Sequence, residues 1–122
     1  MAKFASFDVL DAALGVVASA NRLVVAAGQP ADYAAAAAAA LAQAPVGPGD
    51  FTLANGSDGG RRLLVAARAG LVAQAAGTAD HVALIDTAGQ RLIYVTTCPA
   101  QPLVVGSAVA VGSWQVEIGA PL

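Results

Sequence analysis

A succession of short strand-like segments between Arg61 and Ile118 constrains this chain more than any other feature. The segments are β-branched or alternate between apolar and polar residues, and Gly, Pro and Gly-Ser separate them. Nothing between them is long enough for a crossover helix, which argues against parallel βαβ units. The pattern favours an antiparallel meander and predicts a mainly β fold, a sandwich or barrel of the jelly-roll kind with an N-terminal helix. The segments are HVALID (81–86), RLIYVTT (91–97), LVV (103–105), VAV (109–111) and WQVEI (114–118).

The N-terminal part has a different pattern. Apolar residues recur at helical spacing over residues 6–20, with Ser6 as a candidate N-cap and Asn21 as a candidate C-terminal stop. Residues 22–28 follow as a strand. The seven alanines at 34–40 have high helix propensity, but their short length equally allows an extended connection packed by its neighbours. Residues 44–50 and 55–60 are predicted loops.

We predict one domain spanning residues 1–122. Its composition changes near Asp50, which suggests an N-terminal elaboration over residues 1–49 and a β core over residues 50–122. A tight hairpin turn is expected at residues 86–89. The predicted core consists of Leu10, Leu14, Leu64, Val82, Leu84, Ile93, Val95, Trp114, Val116 and Ile118.

Charge is scarce. Charged residues make up 11% of a chain that is 57% hydrophobic, far below the roughly 25% of an ordinary soluble domain. Such depletion is typical of interface centres; a high-GC genome that fills neutral positions with Ala and Gly gives the same composition. No basic run suits nucleic acid, and no apolar stretch is long enough to span a membrane. Asp8 and Asp11 interrupt what would be the apolar region of a signal peptide, so we expect synthesis in the cytoplasm.

Few side chains are suited to chemistry. His81 follows Asp80, but no Ser or Cys is evidently paired with it, so a locally bonded strand histidine is favoured over a catalytic base. Cys98 lacks an adjacent base and is expected to be a small buried thiol. Asp50, Asn55, Ser57 and Asp58 offer oxygen atoms without the EF-hand spacing. Gly59-Gly60-Arg61-Arg62 lacks the features of a nucleotide loop. We therefore expect no catalysis, no metal and no cofactor.

Several segments together resemble small virion proteins encoded by tailed phages of Alphaproteobacteria. The likeness spans nearly the whole chain, and GTAxHVALxD is its most specific piece. The alanines after Pro30 depart from that pattern, which has a polar stretch there. The matching segments are NRLVVAAGQPADYA (21–34), GRRLLVAARAG (60–70), AGTADHVALID (76–86), LIYVTTCPAQPL (92–103) and GSWQVEIGAP (112–121).

This resemblance implies a structural protein located in the virion. We expect a capsid decoration or cement protein that binds other copies of itself and other virion proteins, such as the major capsid protein. A ring-forming component of the head–tail connector or tail is the first alternative, and a receptor- or glycan-binding fibre module is the second. The candidate interface residues are Asp58, Arg61 and Arg62. They flank a glycine-rich loop with no side chain large enough to fix it, so we expect a partner to order that loop.

Overall fold

The computed structural model describes residues 4–57 and 59–119 of the chain. It confirms the predicted mainly β fold with an N-terminal helix, and every strand pair in the described part is antiparallel. The elements in chain order are α1 (Phe7–Ala18), β1 (Arg22–Ala26), α2 (Tyr33–Ala38), β2 (Ala40–Pro45), a 3₁₀ turn (Pro48–Asp50), β3 (Phe51–Asn55), β4 (Arg61–Val65), β5 (Arg68–Val72), β6 (Gly77–Asp86), β7 (Arg91–Leu103), β8 (Ala108–Val111) and β9 (Trp114–Ile118).

The strands form three sheets. A four-stranded sheet has the order β2-β1-β6-β7, a three-stranded sheet the order β3-β4-β9, and β5 pairs with β8. The predicted hairpin turn after Asp86 joins β6 to β7. The predicted meander is wrong, because β4 pairs with β9 and β5 with β8 across long stretches of sequence. In the part of the chain described, the sheets pack against each other and do not close into a barrel.

The first strand occupies the interior of the largest sheet. β1 pairs with β2 on one side and with β6 on the other, and Leu23, Val24 and Val25 are buried. Residues 1–49 therefore do not form an elaboration beside a separate core, because their two strands share a sheet with β6 and β7. Asn21 anchors the start of β1: its side chain donates to the Thr87 hydroxyl at 2.8 Å and accepts from the Thr87 amide at 3.0 Å.

Both faces of the four-stranded sheet are covered. One face, which includes Leu23 and Leu84, meets buried side chains from the other two sheets and from α1 in the main core. The opposite face, which includes Val24 and Ile85, forms a smaller core under α2. Strands buried on both faces read as continuous apolar runs rather than alternating ones, and the sequence of β1 is of this type.

Helix α1 follows the predicted pattern closely. The Ser6 side chain accepts from the Val9 amide, and Leu10 and Leu14 are buried. The helix ends at Ala18, earlier than predicted. Ser19 is the C-cap and its amide donates to the Val16 carbonyl, so Asn21 lies beyond the helix. Asp8 lies in the first turn, where its negative charge interacts favourably with the positive end of the helix dipole.

The alanine-rich segment contains both of the conformations considered for it. Asp32 caps α2 by accepting from the Ala35 amide at 2.8 Å, and Ala36 is fully buried against the four-stranded sheet. The chain is extended again from Ala40, where β2 begins. A methyl side chain at Ala36 lets this short helix lie close to the sheet. The predicted loop at residues 44–50 is partly strand, since β2 continues to Pro45 before the 3₁₀ turn.

The core prediction was largely correct, but one predicted core residue, Leu64, faces outward. Leu10, Leu14, Val82, Leu84 and Val116 are buried. Leu64 is 37% exposed, because its neighbours Leu63 and Val65 are the inward residues of β4. A one-residue error in strand phase exchanges the two faces. The remaining predicted core residues are half-buried: Ile93, Val95, Trp114 and Ile118.

None of the described helices has the length and apolar character needed to cross a bilayer.

Candidate interaction surface

Arg61 is engaged within its own chain. Its Nε lies 2.8 Å from Asp11 Oδ1 on α1, its Nη1 donates to Asn55 Oδ1 at 2.8 Å, and its guanidinium carbon lies 5.0 Å from the centre of the Phe7 ring. The residue therefore fastens α1 to β4. The guanidinium is paired within the chain and largely covered, and the predicted role of Arg61 in a contact with a partner stays a prediction.

Arg62 lies on the opposite side of the same strand. Successive strand residues point to opposite faces, so Arg61 and Arg62 cannot converge on one anion. The Nη1 atom of Arg62 donates to Gln115 Oε1 on β9 at 3.2 Å, and in register Arg62 lies between Ala54 and Glu117. Of the three candidate interface residues, Arg62 is placed on an exposed sheet face. Asp58 lies outside the described residues.

The glycine-rich loop between β3 and β4 is held by β9. Glu117, the only glutamate in the sequence, accepts from the Ser57 amide at 2.6 Å and from the Ser57 hydroxyl at 3.2 Å. The Gly56 amide also donates to the Gly60 carbonyl at 2.8 Å. The premise that no side chain of this protein holds the loop is therefore wrong for its described residues, because Glu117 binds Ser57. Ordering of the loop by a partner stays a prediction.

The three-stranded sheet has one covered and one exposed face. Its inward residues, such as Leu63 and Val116, belong to the main core. The exposed side, which we call the outer face, consists of two rows of residues paired across β3, β4 and β9. Its members are Thr52, Leu64 and Gln115 in one row and Ala54, Arg62 and Glu117 in the other.

An open groove adjoins the outer face at the Thr52 row. Its volume is about 390 Å³, and Asp50, Leu64, Trp114 and Gln115 are among its lining residues. Trp114 is half-buried and stacks on Tyr94, with ring centres 5.7 Å apart. The groove therefore has an aromatic wall that is fixed from behind, and an apolar side chain from another surface fits it better than an ion does.

His81 and Asp80 form a local hydrogen-bonded pair. His81 Nδ1 and Asp80 Oδ1 are 2.7 Å apart, and Asp80 also accepts from the Gly28 amide at 2.8 Å. The hydrogen bond from His81, followed by that from Gly28, lowers the pKa of Asp80. The pair connects the loop after β1 to β6. A contact with Asp80 is common to both interpretations of His81, a locally bonded strand histidine and a base oriented by a neighbouring carboxylate, so the choice between them stays a prediction.

The pKa of the Cys98 thiol is shifted in the opposite direction to that of an activated thiol. Burial, with a smaller contribution from the Asp80 carboxylate, raises the pKa of Cys98. A raised pKa leaves less thiolate at neutral pH and lowers nucleophilicity. The side chain is half-buried and packs against the main core, as expected for a small core residue.

The oxygen-bearing residues before the glycine-rich loop do not converge. Asp50 accepts from the Gly47 amide at 2.9 Å and lies 3.9 Å from Arg68, whereas Asn55 at the other end of β3 binds Arg61 and Ser57 binds Glu117. Within residues 4–57 and 59–119, no group of three or more His, Cys, Asp or Glu side chains is arranged to hold a metal ion.

Sequence reasoning missed two features of the surface. Glu117 entered the sequence analysis only as part of the strand-like segment 114–118, although it is the carboxylate that holds the loop. Val104 and Val105 were read as part of a strand, yet they lie at a turn and are 67% and 69% exposed. The Gly106-Ser107 pair that follows them is a common turn signal and could have identified this position.

Comparisons with known proteins do not place the chain in a family. No protein-family model matches it, and no curated protein or solved structure is significantly similar to it.

Proposed function

We propose that this chain is a structural protein of a phage virion, which packs on the capsid shell through the outer face of its three-stranded sheet. The observation that carries the proposal is the composition of that face. The row of Thr52, Leu64 and Gln115 beside the groove is exposed and uncharged, and the two charged side chains of the face, Arg62 and Glu117, lie in the other row. An uncharged centre around an apolar residue, with charges at its border, is the pattern of interfaces.

A fixed sheet suits this role. The inner side chains Leu63, Val65 and Val116 are buried, so the outer face keeps its shape without help from a partner. Binding then orders few side chains, which lowers its entropic cost. Arg62 and Glu117 at one end of the face would set register rather than add much affinity. Contacts repeated over many copies make such weak binding effective. The partners are other copies of this chain and the major capsid protein.

A ring in the head–tail connector or tail is the second candidate. In the described part of the chain, β3 and β9 each pair with β4 only, so the three-stranded sheet has two unpaired edges. Pairing of β3 in one copy with β9 in the next is a head-to-tail contact, and such contacts close into rings. A fibre-tip module that binds glycans has less support, because the chain has a single tryptophan, which is half-buried and already stacks on Tyr94.

The proposal is tested with virions that carry the protein and heads that lack it. Purified protein should rebind to such heads, and Leu64→Asp together with Arg62→Glu should weaken that binding at least tenfold. Val9→Asp, at an exposed position on α1, is the matched control and should bind normally.

The number of copies per virion separates the two candidates. A number in fixed proportion to the capsid subunits supports decoration, and a single ring of copies supports a connector. Rebinding that is equal for the outer-face variant and the control would overturn the assignment of this face. Absence of the protein from purified virions would overturn the virion role.

A further inference from the structure

The turn between β7 and β8 displays apolar side chains in a fixed conformation. Val104 and Val105 are 67% and 69% exposed at its tip. Their backbone is held because the Ser107 amide donates to the Val104 carbonyl at 2.9 Å and the Ser107 hydroxyl accepts from the Val104 amide at 3.1 Å. Gly106 supplies the positive φ of 91° that the third residue of a type II turn requires. We call residues 104–107 the valine turn.

An apolar pocket begins immediately before this turn. Its volume is about 350 Å³, and it lies between β6, β7 and β8. The buried residues Val25, Val82, Leu103 and Val109 line it, and Cys98 and Gly112 are also part of its wall. This apolar pocket is distinct from the groove beside the outer face, which has no lining residue in common with it.

Neither feature has any charge of its own. Residues 92–116 include no Asp, Glu, Lys or Arg, and this stretch contains the valine turn and most of the pocket lining. The other lining residues, Val25, Ala79 and Val82, are apolar, and Gln101 is the one amide side chain in the lining. A charged or strongly polar partner gains nothing from such a surface. A second copy of the same surface meets no like-charge repulsion there.

We propose that two copies of this chain exchange their valine turns, so that each turn fills the apolar pocket of the other copy. The turn and the pocket are adjacent, since Leu103 lines the pocket and Val104 begins the turn. Because the protrusion and the hollow lie next to each other on one copy, a single two-fold axis can bring both contacts together. The inference rests on the self-association within the proposed function and names the surface that produces it.

The area involved indicates a weak dimer. Val72 is 58% exposed and lies beside the turn, in register with Ala108. Each valine side chain offers on the order of 100 Å² of apolar surface, so three partly exposed valines contribute about 200 Å² per copy. With the matching pocket walls, the exchange buries about 800 Å² in all, below the roughly 1,200 Å² of stable complexes. Such a contact forms at high concentration or where many copies are held together.

The test uses the purified full chain in sedimentation equilibrium over a wide concentration range. Wild type should show a concentration-dependent dimer. The turn variant Val104→Ser/Val105→Ser should weaken association at least tenfold, and so should the pocket variant Gly112→Leu, whose added side chain starts in open space. Val9→Ser is the matched control, because Val9 is 61% exposed on α1 and should leave association unchanged.

Sedimentation of a mixture of the turn variant and the pocket variant is the decisive experiment. The turn variant keeps an intact pocket and the pocket variant keeps an intact turn, so a mixed dimer retains one of the two contacts. Association of the mixture should exceed that of either variant alone. In wild type, alkylation of Cys98 in the pocket wall should slow as concentration rises, and this measurement decides the matter if Gly112→Leu does not fold.

Three results would overturn the proposal. The first is a wild-type protein that stays monomeric at millimolar concentration. The second is a control variant that weakens association as much as the turn variant does. The third is a monomer whose pocket takes up a fatty acid, which would make the pocket a ligand site. None of these results bears on binding of the outer face to heads, so the two proposals fail separately.

Discussion

Leucine-to-alanine substitutions at positions 84 and 64 should differ in cost, although both leucines were predicted to be core. Leu84 is fully buried in β6, with Leu23 of β1 and Tyr94 of β7 opposite it in the sheet. Removing its outer carbons loses about 2.4 kcal/mol of transfer free energy at about 0.8 kcal/mol per methylene. Neighbouring strands in register cannot collapse into the space, so a cavity term brings the total to about 3–5 kcal/mol.

Leu64→Ala is the matched control because it makes the same chemical change on the outer face. Leu64 is 37% exposed, and solvent can fill the space that it leaves, so only a partial transfer term of about 1 kcal/mol is expected. Urea unfolding at low protein concentration measures both values. The midpoint should fall while the slope stays constant. Equal losses in the two variants, or a greater loss at Leu64, would refute the assignment of inward and outward faces.

Three further variants test other contacts. Gly60→Ala should cost about 2–3 kcal/mol, because the added carbon would collide with the Ile118 carbonyl, whereas Gly49→Ala has open space and should be nearly neutral by the same unfolding assay. Asp80 has a lowered pKa in the folded state, so it contributes stability above the ordinary carboxyl pKa of about 4 and loses this contribution as pH falls through the folded value. Asp80→Asn should therefore flatten the acid limb of a stability–pH curve, and an unchanged limb would count against the pair. Glu117→Ala should speed hydrogen exchange of the loop amide that it holds at least tenfold, and unchanged exchange would contradict that role.

The sequence predicted elements better than it predicted their pairing. Strand segments and α1 were recognisable because alternation and helical spacing are local properties. Pairing depends on which edges meet after the chain has folded, and nothing within a single segment indicates that β4 binds β9 or that β1 lies beside β6. The sequence of β1 does indicate its burial, because an unbroken apolar run is typical of a strand with two covered faces.

The candidate site was partly predictable for the same reason. Arg61 and Arg62 are consecutive residues at the start of the strand-like region, and strand geometry alone places them on opposite faces. That argument was available from the sequence and would have separated the two roles. The partner of Arg61 was not available, because Asp11 lies 50 residues away on a helix whose position depends on the whole fold. The hold of Glu117 on the loop is likewise a contact between residues distant in sequence.

Several of the few charged side chains are bonded to other groups of the same chain, so the surface carries less uncompensated charge than the composition indicates. The structure describes twelve of the fourteen Asp, Glu, Lys and Arg side chains, and six of these twelve form three Arg–Asp ion pairs. A seventh, Asp80, is hydrogen-bonded to His81. Two more acidic groups are used locally, since Asp32 caps α2 and Glu117 holds the loop. A genome bias toward Ala and Gly accounts for few charges, but it does not account for exposed valines at a hydrogen-bonded turn. That placement is the stronger argument for association, because a rigid apolar tip gains stability only when another surface covers it.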